Sequence, residues 1–397
     1  MELIPVDTAT KLILEQQHLL GNEFVSLQNA HNRTLAQPLV ADRDFPPFDR
    51  VTMDGIALLF SSYLAGQRIF KIQGLHSAGD PQTTLYNPTE CLEVMTGAIL
   101  PLGTDTVVRY EDIVIENGLA EIKEPLKFAQ NIHKQGEDRK KGAMIVPENK
   151  QLRSPEIAVA ASIGAVEVYV KKLPRVAIIT SGDELVSVAT VPLPHQLRTS
   201  NVYAIAALLQ PYGIEVTMLH IPDDLETTQR VIADALLAFD TLLLSGGVSK
   251  GKKDFIPEAL RINGVEQLFH RVAQTPGKPF WFGRKDNCVI FALPGNPVSS
   301  FMCARRYFIP WLRQTIGLQP FDYQEAILSE DFFFKSPLTY FLQVKLQQKN
   351  ATLYAVPLVG HGSGDFANLV DADGFLELPE GDCRNFKKGE IFRVWKF

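Results

Sequence analysis

Cysteine and tryptophan are scarce in this chain, at four and three of 397 residues. Cys91, Cys288, Cys303 and Cys383 are scattered, and no pair has metal-ligand or redox spacing. They read as buried free thiols in a reducing cytoplasm. Long apolar runs are missing as well. The stretch around Thr241 to Leu244 falls far short of the ~20 residues that cross a bilayer, so no membrane role is expected. Met1 to Thr10 carries Glu2 and Asp7 without a basic cluster, and a secretory leader is not expected. Positive charge is in deficit, with 39 Lys and Arg against 45 Asp and Glu, a net charge of -6. A protein that coats nucleic acid needs a basic surface, so that class is excluded, whereas a local basic pocket for one anion is not. What is present is globular. Hydrophobic residues make up 46% and charged residues 21%, and the length suits two to four domains.

Val6 to Leu20 reads as an amphipathic helix, with Ala9, Leu12, Ile13 and Leu20 near helical spacing and Asp7 or Thr8 as its cap. Asp44-Phe45-Pro46-Pro47-Phe48-Asp49 reads as a rigid extended loop, because proline removes a donor and restricts its predecessor. From Ile69 to about Lys127 the alternation predicts a small β domain, with a hairpin turning at Asn117-Gly118. Ser154 to Ile163 reads as a helix ended by Gly164. Beyond Lys172-Leu173-Pro174 the rhythm changes. Strands at Arg175–Thr180, Ile214–Ile221, Asp240–Leu244 and Asn287–Leu293 alternate with helices at Asn201–Gln210, Thr227–Phe239, Phe255–Ile262 and Val298–Leu312. That is the pattern of βαβ units and a mainly parallel sheet. After Pro320 only short strands follow (Glu325–Phe334, Phe341–Leu346, Thr352–Val356, Phe375–Leu378, Ile391–Lys396), the pattern of a β sandwich or barrel.

In an open parallel sheet, ligands bind beyond the carboxyl ends of the strands. The loops expected there are Thr180-Ser181-Gly182-Asp183-Glu184, Asp223-Asp224, Ser245 to Asp254 and Pro294-Gly295-Asn296-Pro297. All lie on one edge. In Ser245-Gly246-Gly247-Val248-Ser249-Lys250-Gly251-Lys252-Lys253-Asp254, glycine pairs let backbone N–H groups converge on an anion, and lysines add charge. The order is not that of a Walker loop. A plain strand-to-helix turn is the rival reading of this loop, as N-capping is for Asp183 and Asp254. Glu184, Asp223 and Asp254 could share a divalent cation bridging phosphate oxygens, and hard oxygen ligands suit Mg²⁺. Pro276-Gly277-Lys278-Pro279 is a stiff turn presenting one lysine. Outside this domain, Asp49 and Asp54 beside Gly55, and Thr96-Gly97-Ala98, are further candidates.

These motifs, in this order, resemble the MoeA family of molybdopterin molybdenumtransferases, to which the E domain of gephyrin also belongs. Pro46-Pro47-Phe48-Asp49 with Met53-Asp54-Gly55, Met95-Thr96-Gly97-Ala98, Gly136-Glu137-Asp138, Ser181-Gly182-Asp183-Glu184-Leu185, Ser200-Asn201, Ser245 to Ser249 with Asp254, Pro276 to Pro279 and Leu293 to Pro297 carry the resemblance across nearly the whole chain. It implies a multi-domain α/β plus β fold in four parts. These are an elongated helical segment (1–45 and 136–172), an inserted β domain (46–135), a MogA-like, molybdopterin-binding α/β domain (173–318) and a C-terminal β barrel (319–397). The implied activity is insertion of molybdate into adenylylated molybdopterin, with Mg²⁺-dependent release of AMP, by a cytoplasmic homodimer whose site lies at the subunit interface. The adenylyltransferase that supplies the substrate and the downstream molybdoenzymes are the further partners implied. Asp54, Thr96, Glu184 and Asp254 are the implied catalytic residues, and Asp254, Glu184 and Asp223 the metal ligands. Asp223, Ser245, Gly246, Gly247, Ser249, Lys278, Pro294, Asn296, Pro297 and Ser363 would bind the pterin substrate and the molybdate.

The chain departs from the family pattern at four places. Thr275 stands where a basic residue often precedes Pro-Gly-Lys-Pro, Gln343 replaces an arginine directed at molybdate, His133 replaces another arginine, and Ser181 replaces a threonine. The oxyanion pocket is expected to be less cationic, with Lys345 or Arg271 as compensation. Two other functions stay open at this stage, a pterin-binding scaffold without turnover and a molybdopterin adenylyltransferase.

Overall fold

The computed structural model describes residues 3–17, 19–247, 254–381 and 384–397, with Arg384 by its backbone alone. Ser249, Lys250, Lys252, Lys253 and Cys383 lie outside the described residues. The chain divides into two compact units, one of residues 1–36, 149–153 and 167–397, the other of residues 37–148 and 154–166.

The first unit contains a six-stranded sheet. Its strands are β1 (Val176–Ser181), β2 (Val216–Ile221), β3 (Thr241–Ser245), β4 (Glu266–His270), β5 (Trp281–Lys285) and β6 (Cys288–Leu293), in the spatial order β2-β1-β3-β6-β5-β4. The first four of that order are parallel. In β1, β3 and β6 the apolar runs are continuous because both faces are covered. Ile178, Leu243 and Phe291 enter one core with helices α1 (Asn201–Leu209) and α4 (Pro297–Cys303). The residues between them, Ile179, Leu244 and Ile290, enter a second core with α2 (Leu225–Ala238) and α3 (Ile256–Ile262). The antiparallel edge formed by β4 and β5 is absent from the sequence expectation. Both strands are short and mix polarity, and β5 holds Gly283, where a Cβ would lie 2.4 Å from the Glu266 carbonyl oxygen. The long helix expected to Leu312 changes pitch midway, with a π segment at Ala304–Phe308 before α5 (Ile309–Thr315). Pro310 lacks an N–H, so the regular ladder is interrupted there.

The N-terminal helix is shorter than expected. It covers Val6–Leu14, its cap position is Pro5, and neither Asp7 nor Thr8 caps it. Leu19 is 94% exposed and Gly21 takes a φ of 81°, so the apolar spacing does not continue into a buried stripe. Val6, Ala9 and Ile13 join the first core.

At the C-terminus five strands close on themselves: β7 (Gln324–Leu328), β8 (Thr339–Lys349), β9 (Thr352–Pro357), β10 (Gly374–Leu378) and β11 (Ile391–Lys396). The ring runs β8-β9-β7-β11-β10 and back to β8, which makes it a barrel rather than a sandwich. Leu342, Val344 and Leu376 point inward, and the residues alternating with them, Phe341 and Phe375, pack on the α/β core.

The second unit has its own six-stranded sheet, ordered Thr106–Arg109, Gly55–Leu58, Glu90–Val94, Ile69–His76, Leu119–Ile122, Ile113–Glu116. The expected hairpin turns at Asn117 and Gly118, with φ of 51° and 76°. The helix ended by Gly164 spans Ser154–Ser162. No helix among the described residues is long and apolar enough to cross a membrane.

Phe291 sits among Phe280, Phe282, Phe308 and Trp311 with ring centroids 4.9–6.5 Å apart. Phe291→Ala is expected to destabilise the protein by roughly 3–5 kcal/mol, read as a lower denaturation midpoint. An unchanged midpoint contradicts a shared aromatic core.

Candidate active site

The loops after β1, β2, β3 and β6 open into one cleft of about 800 Å³. Ser181, Glu184, Asp223, Ser245, Gly246, Gly247, Asp254, Pro294, Asn296 and Pro297 all line it. Backbone packs on backbone there. Gly246 and Gly247 have φ of 100° and 63°, and a Cβ on Gly247 would lie 2.7 Å from the Ser181 hydroxyl. The pair is glycine because its conformation and its neighbours both refuse a side chain.

Polar bonds fasten the loops to one another. The Asn201 amide, at the start of α1, donates to the Ser245 hydroxyl and to the Gly295 carbonyl, each at 2.9 Å. Ser245 Oγ lies 3.3 Å from Ser300 Oγ. The Asp223 N–H donates to Asp183 Oδ1 at 3.0 Å, which ties the β2 loop to the β1 loop. Capping of α2 falls to Asp224, whose carboxylate accepts from Thr227 N–H at 2.7 Å and lies below the usual carboxylate pKa for that reason. Asp223 is thereby left to line the cleft. The N-cap position of α3 is Phe255, with no side-chain capping bond. Among the described residues no three His, Cys, Asp or Glu side chains form a group that could hold a metal ion. Glu184, Asp223 and Asp254 thus share a cleft but do not converge on one point.

A smaller cavity of about 430 Å³ adjoins the cleft, and Pro279, Pro294 and Asn296 line both. Lys278, Thr275, Ser299, Gln343 and Ser363 also line it, and among the described residues Lys278 is its one charged lining side chain. Asn296 Nδ2 donates to Ser363 Oγ at 2.7 Å, and Val298 N–H to the Ser363 carbonyl at 3.2 Å, so the barrel loop is docked on the start of α4. Gln343 accepts from the Asn368 amide at 2.7 Å. Neither expected compensating cation lines this cavity: Lys345 instead pairs with Asp373 at 2.9 Å, and Arg271 is not among the lining residues.

The second unit holds Asp54 and Thr96 together, for the Thr96 N–H donates to Asp54 Oδ1 at 2.6 Å. Gly55 follows because a Cβ there would lie 1.9 Å from the Val108 carbonyl oxygen. His133 bridges Arg50 (3.1 Å) and Asp138 (3.0 Å). The three described cysteines, Cys91, Cys288 and Cys303, are buried and free, and burial pushes the thiols of Cys91 and Cys288 up to about 12. Sequence reasoning omitted Asn201 and Arg198 from the site. Arg198 lines the cleft and donates to the Thr190 carbonyl at 3.0 Å. The Ser200-Asn201 motif, at a helix start and part of the family resemblance, is the signal that points to Asn201.

A cleft at the carboxyl edge of a parallel sheet, walled partly by a barrel loop, marks a multi-domain α/β protein with a ligand-sized site. Comparison with known proteins agrees. The profile of the MoeA N-terminal region (domain I and II) matches residues 4–164, that of the "Probable molybdopterin binding domain" residues 177–314, and that of the MoeA C-terminal region (domain IV) residues 325–397. A molybdopterin molybdenumtransferase of Synechocystis sp. is 41% identical over 399 residues, covering 98% of this chain and 99% of that protein. One from Staphylococcus aureus is 33% identical, covering 98% and 95%. The solved molybdopterin biosynthesis MoeA protein of Pyrococcus horikoshii superposes with a TM-score of 0.84 at 25% identity, covering both chains fully. The chain belongs to the MoeA family of molybdopterin molybdenumtransferases, enzymes that insert molybdenum during molybdenum-cofactor biosynthesis.

Hydrogen bonds from the Thr96 backbone and hydroxyl hold the Asp54 carboxyl below its ordinary 3.8. The ionised form anchors the Thr96 turn above the ordinary carboxylate pKa, and that anchorage is lost as pH falls through the lower folded value. Carbon-13 titration should place Asp54 below 3.8, with Thr96→Ala moving it upward. Equal midpoints in the two proteins contradict the contribution of the Thr96 hydroxyl, since the backbone N–H bond survives the substitution.

Proposed function

We propose that the large cleft binds adenylylated molybdopterin, that the adjoining cavity binds molybdate, and that insertion is coupled to release of AMP. The observation that carries this reading is the shared wall of Pro279, Pro294 and Asn296 between a cleft of about 800 Å³ and a cavity of about 430 Å³. The first has room for a nucleotide joined to a pterin, and the second has one cation and several neutral donors for a small oxyanion. Two sites sharing a wall put the metal oxyanion next to the sulfurs it must join, an advantage of proximity.

The roles divide by chemistry. Ser245, Gly246 and Gly247 present hydroxyl and N–H donors to the phosphates, with Asp223 beside the pterin ligand; Ser249, assigned to the same role from the sequence, lies outside the described residues. Lys278, Asn296 and Ser363, with Pro294 as rigid wall, hold the molybdate oxygens through directed donors, whereas Pro297 lines only the larger cleft. Glu184, Asp223 and Asp254 line the cleft as hard-oxygen donors without forming a three-carboxylate site, so one or two of them would hold Mg²⁺, a cation that completes its shell with phosphate and water. When bound, Mg²⁺ neutralises charge developing on the phosphoryl oxygens. Hydrolysis of the phosphoanhydride, in which water attacks one phosphorus as the bridging P–O bond breaks, leaves the phosphate on molybdopterin and releases AMP.

The family resemblance further supports a homodimer in which the Asp54–Thr96 corner of one copy completes the site of another. It also supports the four-part division at residues 45, 135, 172 and 318, a cytoplasmic setting, and handover to or from the adenylyltransferase and the molybdoenzymes.

Purified protein supplied with adenylylated molybdopterin and Mg²⁺ should release AMP only when molybdate is added. Asp254→Ala should lower that rate by roughly 10²–10³ with the fold intact by circular dichroism. Tight pterin binding without AMP release points to the scaffold function. ATP consumption with non-adenylylated molybdopterin points to the adenylyltransferase.

A further inference from the structure

We infer that Gln274 is a positioning residue for Lys278, an amide buried behind the lysine-bearing turn and itself oriented by the Tyr307 phenol. The inference rests on the reading of Lys278 as the cation of the oxyanion cavity.

The turn is pressed onto the helix beneath it. Gly277 has a φ of 92°, and a Cβ there would lie 2.6 Å from Cys303 Sγ and 2.9 Å from the Met302 methyl. Gln274, 0% exposed, reaches forward into the same space. Its Nε2 donates to the Gly277 carbonyl at 3.0 Å and approaches Cys303 Sγ at 3.5 Å. Its Oε1 accepts from the Tyr307 hydroxyl. Each end of the amide has its own partner, and rotating it by half a turn would set Oε1 against the Gly277 carbonyl, acceptor against acceptor. Tyr307 is fully buried on the π segment, and burial keeps its phenol protonated and therefore a donor.

A second bond fixes the other side of the turn, where the Lys278 carbonyl accepts from Val272 N–H at 3.1 Å. The carbonyls of Gly277 and Lys278 are thus both held from within the protein. The peptide planes on either side of the Lys278 Cα are set, and the exposed ammonium moves only about its own side-chain torsions. No other charged side chain lines that cavity among the described residues, so placement of this one decides how well an oxyanion is met.

The test compares steady-state AMP release for the full chain and for Gln274→Leu, Tyr307→Phe, Lys278→Ala and the double variant Tyr307→Phe/Lys278→Ala. Loss of one orienting bond should raise the KM for molybdate about three- to tenfold in Gln274→Leu and Tyr307→Phe. The kcat and the KM for adenylylated molybdopterin should be unchanged. In the Lys278→Ala background, Tyr307→Phe should alter the molybdate KM by less than about twofold. A raised KM in Lys278→Ala with none in Tyr307→Phe overturns the positioning role alone. The same factor with and without Lys278 overturns it too. No change in Lys278→Ala overturns the reading of the cavity instead. Should Gln274→Leu fail to fold, Tyr307→Phe, which removes a single oxygen, decides.

Discussion

The amide of Asn201 is the fastening on which the site depends. It reaches from the start of α1 to the loops after two neighbouring strands, meeting the Ser245 hydroxyl and the Gly295 carbonyl. A parallel sheet brings strand ends to a common edge, but loops do not by that alone form a cavity. Here they are close enough for Gly246 and Gly247 to exclude side chains, and one part-buried amide satisfies polar groups from both sides. A half-satisfied version would carry the desolvation penalty without the hydrogen bonds.

From that edge the construction continues outward. The loop after β6 runs directly into α4, and the first residues of α4 receive the barrel loop at Ser363. The wall between cleft and cavity is made of Pro279, Pro294 and Asn296, two rigid rings and an amide already engaged with Ser363. Few of these atoms can move independently. The result is a pair of adjoining spaces whose separation is set by backbone rather than by flexible side chains, the condition under which proximity is useful to a reaction.

The elements that were legible in the sequence are those whose environment repeats along the chain. Strands buried on both faces read as unbroken apolar runs, so β1, β3 and β6 could be found within a residue or two. Asn117-Gly118 announces its own turn, and the loops that follow the strands could be listed before any were seen together. What was not legible depends on distant partners. β4 and β5 are strands because they pair with each other and with β6, not because of alternation. The helical stretch running from α4 into α5 changes pitch just before Pro310, and the N-terminal helix stops where burial stops. Within the site, strand order places Glu184, Asp223 and Asp254 on one cleft, but whether three carboxylates meet at a point is not encoded by their spacing, and among the described residues they do not. Lys345 is taken up by Asp373, a pairing between distant residues that the sequence does not announce.

The central claim is spatial: two ligands, one wall. Crystals grown with AMP and Mg²⁺ and then soaked in tungstate, an electron-rich analogue of molybdate, test it most directly. The account predicts nucleotide density along Ser181, Asn201, Ser245 and Gly246, with an anomalous tungsten peak across Pro294 beside Lys278. A tungsten peak on a different face of the molecule, with AMP in the cleft and the Lys278 cavity empty, would contradict it.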